Sequence, residues 1–279
     1  VSVTPATEPA PQGTPCWLEL GTTNLPACTD FYAGLLGWEY QPDDSGYLTA
    51  HTDGVPAAGL YAFPDGPPLP TTWTLYLSVN NVANTAQRVT MLDGQVAVEP
   101  REIPGQGRLM IAADPTGALI GFWEPATMWP FAQGGAGAFA WADLHTTDGK
   151  LADEFFVSLF SFDTEQVGDG IDYDYTIWTL DGPSLLGRLR MGAEFEPGTP
   201  PHWMNYVGVS AALGVDLAAT RAIQLGGRLH AEPFDSPYGR IAVIEDVAGG
   251  VLSLVDTSRR TPIAEEDIGT AAVDDPYDD

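Results

Sequence analysis

The residues best suited to chemistry occur twice. WLELGTTN (Trp17 to Asn24) and WADLHTTD (Trp141 to Asp148) share one pattern: Trp, an acid two residues on, then Thr-Thr before Asn or Asp. Both stretches read as β-strands, and alternate side chains of a strand share a face. Trp17 and Glu19 therefore point one way, as do Trp141, Asp143 and His145. A carboxylate beside an indole in an apolar setting has its pKa pushed toward neutrality, which suits a general acid or base. Asp143 and His145, at i and i+2, lie about 7 Å apart and could serve one substrate. Glu19 offers the same chemistry without the imidazole. A structural reading competes: the carboxylates anchor backbone N–H groups, or meet Arg188 or Arg190, which alternate along LLGRLRM.

Other residues gather around these. Trp73 and Trp203 open a second matched pair, WTLYLSVNNV and WMNYVGVSAA, and Asn205 shares the Trp203 face. In DGIDYDYTIW, Tyr173 and Tyr175 share one face and Asp172 and Asp174 the other. The expected ligand-binding set is Trp17, Trp73, Trp141, Trp203, Asn205, Tyr175, Trp178 and Arg188. Aromatic walls with a few polar groups fit flat, apolar, partly oxygenated molecules. His51, His202 and His230 read as solvated or rim residues. The proline-rich loops at 64–70 and 196–201 fall at equivalent places and could form lips over each site.

The elements that must position these residues repeat as well. The Asp53-Gly54 and Asp181-Gly182 turns are each followed five residues later by a second glycine, Gly59 and Gly187. DPTGALIGFWEP and DVAGGVLSLVDT close the two halves, with Gly117 and Gly249 matched. Five blocks in one order, with slowly drifting offsets, mean two homologous domains. They span 14–125 and 136–257, joined by a linker at 126–135 and flanked by a Pro/Thr tail (1–13) and an acidic tail (258–279). Each domain alternates strand and helical periodicity, with helices at about 26–36 and 82–93 in the first. Asn24 and Asp148 are the expected N-caps, and the Asp-Gly pairs are hairpin turns. The pattern is βαβββ, twice per domain.

The Trp-x-x-Leu-x-Thr strand, the helix ending in Leu35-Leu36-Gly37-Trp38 and the closing Asp114-Pro115-x-Gly117 resemble the vicinal-oxygen-chelate superfamily of glyoxalases, bleomycin-resistance proteins and extradiol dioxygenases. Phe31-Tyr32 and Val79-Asn80-Asn81-Val82 match too, and the second domain has lost the Leu-Gly-Trp and the Asp-Pro. More narrowly, the chain looks like the two-domain actinobacterial glyoxalase-like proteins often labelled hydroxylase. The resemblance implies an α+β fold of two tandem domains, with four βαβββ units forming open eight-stranded cups. Metalloenzymes of the superfamily carry ligands on the first strands of the units and on the last strand. Those positions map onto Trp17, Thr74 and Gly121, and onto Trp141, Met204 and Ser253. None is a usable donor for a divalent ion. A slip of one residue brings in Glu124 or Asp256 without a histidine beside either. The expectation is no family-type metal and no cofactor.

Composition narrows the partners. Thirty-eight acidic against 11 basic side chains give a formal charge of −27, and Lys150 is the single lysine. Such a chain cannot neutralise a run of phosphates, so nucleic acid is excluded, as is an anionic membrane surface. No apolar stretch reaches membrane-spanning length, and the first 15 residues lack the basic and apolar regions of a signal peptide. Cys16 and Cys28, on a strand and the helix after it, are expected as free thiols. No Walker A, GxSxG or HExxH motif occurs. The sequence thus points to a cytoplasmic monomer or homodimer that takes a small-molecule ligand. Its expected activity is metal-independent acid–base chemistry of the lyase, isomerase or cyclase type, on an aromatic or polyketide-like compound of specialised metabolism. The alternative is sequestration of a planar metabolite without turnover. The second cup, richer in polar candidates, is the expected working site.

Overall fold

A computed structural model of the chain describes residues 10–64 and 69–260. Most of both tails and residues 65–68 of the first proline-rich loop lie outside the described residues. The first half builds β1 (Pro15–Thr22), α1 (Leu25–Leu36), β2 (Glu39–Pro42), β3 (Leu48–Thr52), β4 (Val55–Ala62), β5 (Thr72–Ser78), α2 (Val82–Met91), β6 (Gln95–Ile103), β7 (Gly107–Ala113) and β8 (Leu119–Pro125). The second half repeats the order with β9 (Phe139–Thr146), α3 (Gly149–Phe160), β10 (Asp163–Val167), β11 (Tyr175–Thr179), β12 (Ser184–Arg190), β13 (His202–Gly208), α4 (Val215–Gln224), β14 (Arg228–Ser236), β15 (Gly239–Glu245) and β16 (Val251–Asp256).

Each half is one mixed eight-stranded sheet. The strand orders, β2-β3-β4-β1-β5-β8-β7-β6 and β10-β11-β12-β9-β13-β16-β15-β14, are the same topology twice. The fold is α+β, two tandem vicinal-oxygen-chelate domains of two βαβββ units each, and the sheets curl without closing into barrels. β1 runs antiparallel to β5 and parallel to β4, and β5 runs parallel to β8, so β1 and β5 form the floor of the first cup. β9 and β13 do the same in the second.

Local chemistry sets the helix ends. Asn24 accepts a hydrogen bond from the Ala27 N–H at 3.3 Å, and Asp148 from the Leu151 N–H at 3.0 Å, each satisfying an N–H that the first helical turn leaves free. α1 ends on Gly37 at φ 73°, the glycine of Leu-Gly-Trp, whereas α3 ends on Ser161 at φ 61°. The left-handed cap survives in the second half although the glycine does not.

The sheet face away from the cups carries the core. Leu18 and Leu20 of β1, Leu75 and Leu77 of β5, and Leu60 of β4 are wholly buried beneath the helices. The two halves meet through their helices, α1 on α4 and α2 on α3, and through their central strands, β5 and β8 against β13 and β5 against β16. Repeat-related hydrogen bonds bind them: Arg88 to the Ser158 carbonyl at 2.6 Å, and Arg221 to the Gly34 carbonyl at 3.0 Å. Cys16 and Cys28 are buried free thiols.

Candidate functional site

The register decides which side chains enter the cups. On β1, Trp17 pairs with Tyr76 of β5, Glu19 with Thr74, and Leu20 with Trp73. Cross-strand partners share a face, so Tyr76 and Thr74 face the first cup and Trp73 does not. Trp73 lies under α1, its indole N–H donating to the Tyr32 hydroxyl at 2.9 Å. In the second half Trp141 pairs with Tyr206, Asp143 with Met204, Leu144 with Trp203 and Ala142 with Asn205. Trp203 and Asn205 therefore face the helices, and Trp203 packs edge-on against Phe156 of α3.

Trp178 and Arg188 are corrected in the same way. Gly187 pairs with Asp143 and Arg188 with Leu144, which turns the guanidinium to the helix side. There Arg188 bonds Asp153 of α3 at 2.7 Å and Asp174 at 2.6 Å, and Trp178 donates to Asp153 at 2.8 Å. This buried network ties α3 to its sheet and meets no cup carboxylate. Five expected ligand-binding residues thus belong to the core: Trp73, Trp203, Asn205, Trp178 and Arg188. Trp17, Glu19, Trp141, Asp143, His145 and Tyr175 do face cups.

Around each acid stands one repeated arrangement. In the first cup the Tyr47 hydroxyl donates to Glu19 Oε1 at 3.0 Å and the Tyr76 hydroxyl to Oε2 at 2.8 Å, while the Trp17 indole donates to the Tyr47 oxygen at 2.9 Å. In the second, Asp143 Oδ1 accepts from the Trp141 indole and the Tyr175 hydroxyl, both at 2.7 Å, and the carboxylate also accepts from Tyr206. Gly59 and Gly187 sit opposite the acids on the neighbouring strand. A Cβ at Gly59 would strike the Tyr47 hydroxyl, and one at Gly187 would strike Asp143 and Tyr175. The matched glycines make room for the tyrosines. Tyr47, Tyr76 and Tyr206 are missing from the expected site, although a signal existed: each lies at a matched place in the repeat, as in WTLY and WMNY.

Burial pushes the Glu19 carboxyl above the usual range, opposed by the Tyr76 and Tyr47 hydroxyls and by the Arg101 guanidinium. It pushes Asp143 up likewise, opposed by Tyr175, Tyr206 and Trp141. The tyrosines are raised well above their ordinary value, chiefly by burial, and stay protonated as donors. His145 is enclosed beside Phe195 and His202, with ring centroids 5.3 and 4.9 Å away. Neither of its ring nitrogens has a hydrogen-bond partner among the described residues. Burial, with His202 adding, pushes its pKa down to about 3 and keeps the ring neutral.

The cups differ in space. A cavity of about 380 Å³ opens in the first, walled by Trp17, Trp123 and Trp129, with Glu19, Tyr47 and Tyr76 at its floor and Arg101, Ser45 and Gln106 at its rim. Trp129 comes from the linker and meets Trp17 at 5.3 Å and Trp123 at 4.8 Å. In the second cup Tyr173 stands two residues before Tyr175, as Ser45 stands two before Tyr47, and Tyr238 precedes Gly239 as Gln106 precedes Gly107. Tyr173 stacks on Tyr175 at 6.2 Å, and Tyr238 covers Tyr175 at 5.8 Å. Two tyrosines thus occupy the places of a serine and a glutamine. The expectation that the second cup is the working one does not match this distribution of space.

The positions where superfamily metalloenzymes keep ligands do not fit a divalent ion. Trp17 and Thr74 offer no metal donor of the usual kinds, and the Tyr76 ring lies where a Gly121 side chain would stand. Glu124 is engaged at the start of α2, accepting from the Val82 N–H at 2.8 Å, and Asp256 accepts from the Ser258 N–H at 3.0 Å. Among the described residues no three His, Cys, Asp or Glu side chains converge.

Two open mixed sheets of paired βαβββ units, each with a cup, define the vicinal-oxygen-chelate class. The chain belongs to the glyoxalase/bleomycin resistance protein/dioxygenase superfamily, whose family model matches residues 16–122. It is similar along most of its length to the anthracycline biosynthesis protein DauV of Streptomyces sp. (strain C5), at 29% identity over 91% of this chain and 97% of the relative. It is 31% identical to the glyoxylase-like protein CFP32 of Mycobacterium tuberculosis (strain CDC 1551 / Oshkosh), over 88% of this chain and 95% of the relative. Among solved structures, the Mn(II)-bound glyoxalase from Novosphingobium aromaticivorans shares the fold, with a TM-score of 0.61 at 16% identity over 95% of this chain and 92% of that one.

Proposed function

We propose that the first cup binds an aromatic or polyketide-like small molecule of specialised metabolism, and that the chain acts on it as a metal-independent acid–base enzyme of the lyase, isomerase or cyclase type. The observation that carries this reading is the cavity of about 380 Å³ with three indole walls and one carboxyl at its floor. That volume lies in the usual range for small-ligand sites, and aromatic walls favour flat rings. The similarity to a protein named for anthracycline biosynthesis supports a polycyclic aromatic ligand.

Glu19 moves the proton. Each of its oxygens accepts one tyrosine hydroxyl and keeps a lone pair free toward the cavity. Its raised pKa brings the protonated and ionised forms closer in energy near neutral pH, which general acid–base transfer requires. Tyr47 and Tyr76 hold the carboxyl in place and stabilise its charge after it gives the proton up. Trp17, Trp123 and Trp129 wall the ligand ring and exclude water. Asp143 and His145 take no step: the first is enclosed by its own tyrosines and the second is neutral and walled in.

Substitution Glu19→Gln, assayed on a panel of aromatic polyketides, is expected to lower turnover by about 10²–10⁴-fold with ligand affinity, read by tryptophan quenching, little changed. Unchanged turnover removes Glu19 from the mechanism. One observation favours sequestration instead. The Trp-acid-Tyr-Tyr set also stands in the second cup, where tyrosines take the ligand's space, so it holds without a ligand to act on. Tight binding with no turnover by the native protein would establish that second reading.

A further inference from the structure

We infer that Arg101 is an anion-recognition residue of the first cup, and that the ligand carries one anionic oxygen group on its aromatic frame. This rests on the reading that the first cup is the ligand site. The chain has 38 acidic and 11 basic side chains, so carboxylates far outnumber cations. Arg188, Arg190, Arg228, Arg240 and Arg259 all sit in ion pairs with aspartate or glutamate, and Lys150 pairs with Glu154. Arg101 lines the cavity, and among the described residues its side chain makes no ion pair or hydrogen bond. It acts on Glu19 only through space, so its donor fork is left without a hydrogen-bonded partner.

The second cup separates this role from mere support of the acid. Arg101 pairs with Leu109 across the β6–β7 hairpin, and Phe234 pairs with Ile241 at the matching place in β14–β15. The second cup thus holds Asp143 with indole and hydroxyl donors and an apolar residue where Arg101 stands. The Trp-acid-Tyr-Tyr set forms without a cation, so Arg101 is not needed to build it. It occurs in the cup with room for a ligand.

The other charged groups facing the cavity do not consume it. Asp43 accepts from the backbone N–H of Ser45 and Tyr47 and from the Ser45 hydroxyl, and is engaged with its own turn. Glu19 is held by Tyr47 and Tyr76. A flat ligand seated against the indole walls with its reacting atom at Glu19 presents its far end to Arg101 at the rim. A guanidinium offers a planar fork of donors there, matched to a carboxylate or an ionised hydroxyl. The strongly negative surface repels anions at long range, and Arg101 supplies the local attraction that selects one.

Two fluorescent probes with one aromatic frame test this: 1-anilinonaphthalene-8-sulfonate and the uncharged N-phenyl-1-naphthylamine. The double variant Ser45→Tyr/Gln106→Tyr, which fills the first cup as the second is filled, identifies the part of each signal that comes from the cup. For that part, Arg101→Gln is expected to weaken the sulfonate probe about tenfold and leave the neutral probe within about twofold. Arg101→Lys is expected to recover only part of the sulfonate affinity, because the charge remains while the fork is lost. Equal weakening of both probes by Arg101→Gln would make Arg101 a packing residue and overturn the inference, leaving the cup reading intact. Probe signals untouched by Ser45→Tyr/Gln106→Tyr would overturn the cup reading, and the inference with it.

Discussion

The first and second cups are built on one plan and finished differently. Both place an acid between a tryptophan and two tyrosines, opposite a glycine that leaves the tyrosine space. The first leaves a cavity above that floor. The second covers it with Tyr173 and Tyr238, has Val255 where the first has Trp123, and has Phe234 where the first has Arg101. A repeated arrangement at a cup floor therefore does not by itself set the space above it. What separates the halves is the ring of residues above the floor, which comes from hairpins and from the linker.

The sharpest way to break the comparison is to convert one cup into the other. Ser45→Tyr/Gln106→Tyr is expected to lower affinity for aromatic probes by at least about a hundredfold, since those tyrosines would take the volume the ligand needs. The melting temperature should hold within a few degrees, because the homologous cup already accommodates both rings. Retained binding would show that the cavity is not the ligand site. The reverse change, Tyr173→Ser/Tyr238→Gln, is expected to add a second binding event in calorimetry. It should cost about 2 kcal/mol of stability, because two rings that pack on Tyr175 are removed. A single unchanged event would show that more than two rings close the second cup.

A smaller effect distinguishes the floors. Gly187→Ala is expected to cost about 1–3 kcal/mol, because its Cβ meets an enclosed Asp143 and Tyr175. Gly59→Ala should cost less, because Tyr47 borders open space into which it can shift. Equal losses in urea titrations would remove the distinction.

In the pH dependence the two buried groups of the second cup act with opposite sign. His145 is held down to about 3 against an ordinary value of about 6.5. The folded state therefore binds its proton less readily than the unfolded state, and the contribution of the neutral ring is lost as pH falls below about 6.5. His145→Leu is expected to flatten that acid limb. Asp143 is raised, so its contribution is full below the ordinary carboxylate value and fades as pH rises through its folded pKa. Asp143→Asn should therefore gain stability relative to the native chain as pH rises above the ordinary carboxylate value of about 4. Parallel curves for either variant would remove that residue from the pH dependence.

Much of this was legible in the residues. The repeat, the strand and helix periodicities, the caps at Asn24 and Asp148 and the shared face of Trp17 with Glu19 all follow from spacing within one segment. The matched Gly59 and Gly187 were visible as a pattern, though not as the room for Tyr47 and Tyr175. Trp73 and Trp203 misled because they recur in register with the repeat, as a core residue under a helix also does.

The sequence by itself determined which elements form and which side chains of one strand stand together, because alternation on a strand is a local property of the backbone. The tertiary structure alone decided which face of β5 joins which face of β1, since hydrogen-bond register between distant strands sets that parity and a shift of one residue inverts it. It alone decided that a cavity stands over the first floor and that two tyrosines pack over the second. That depends on whether Ser45, Gln106 and Trp129, or Tyr173 and Tyr238, arrive over one floor from segments far apart in the chain. Occupied volume is a property of the assembled walls and of no single stretch of residues.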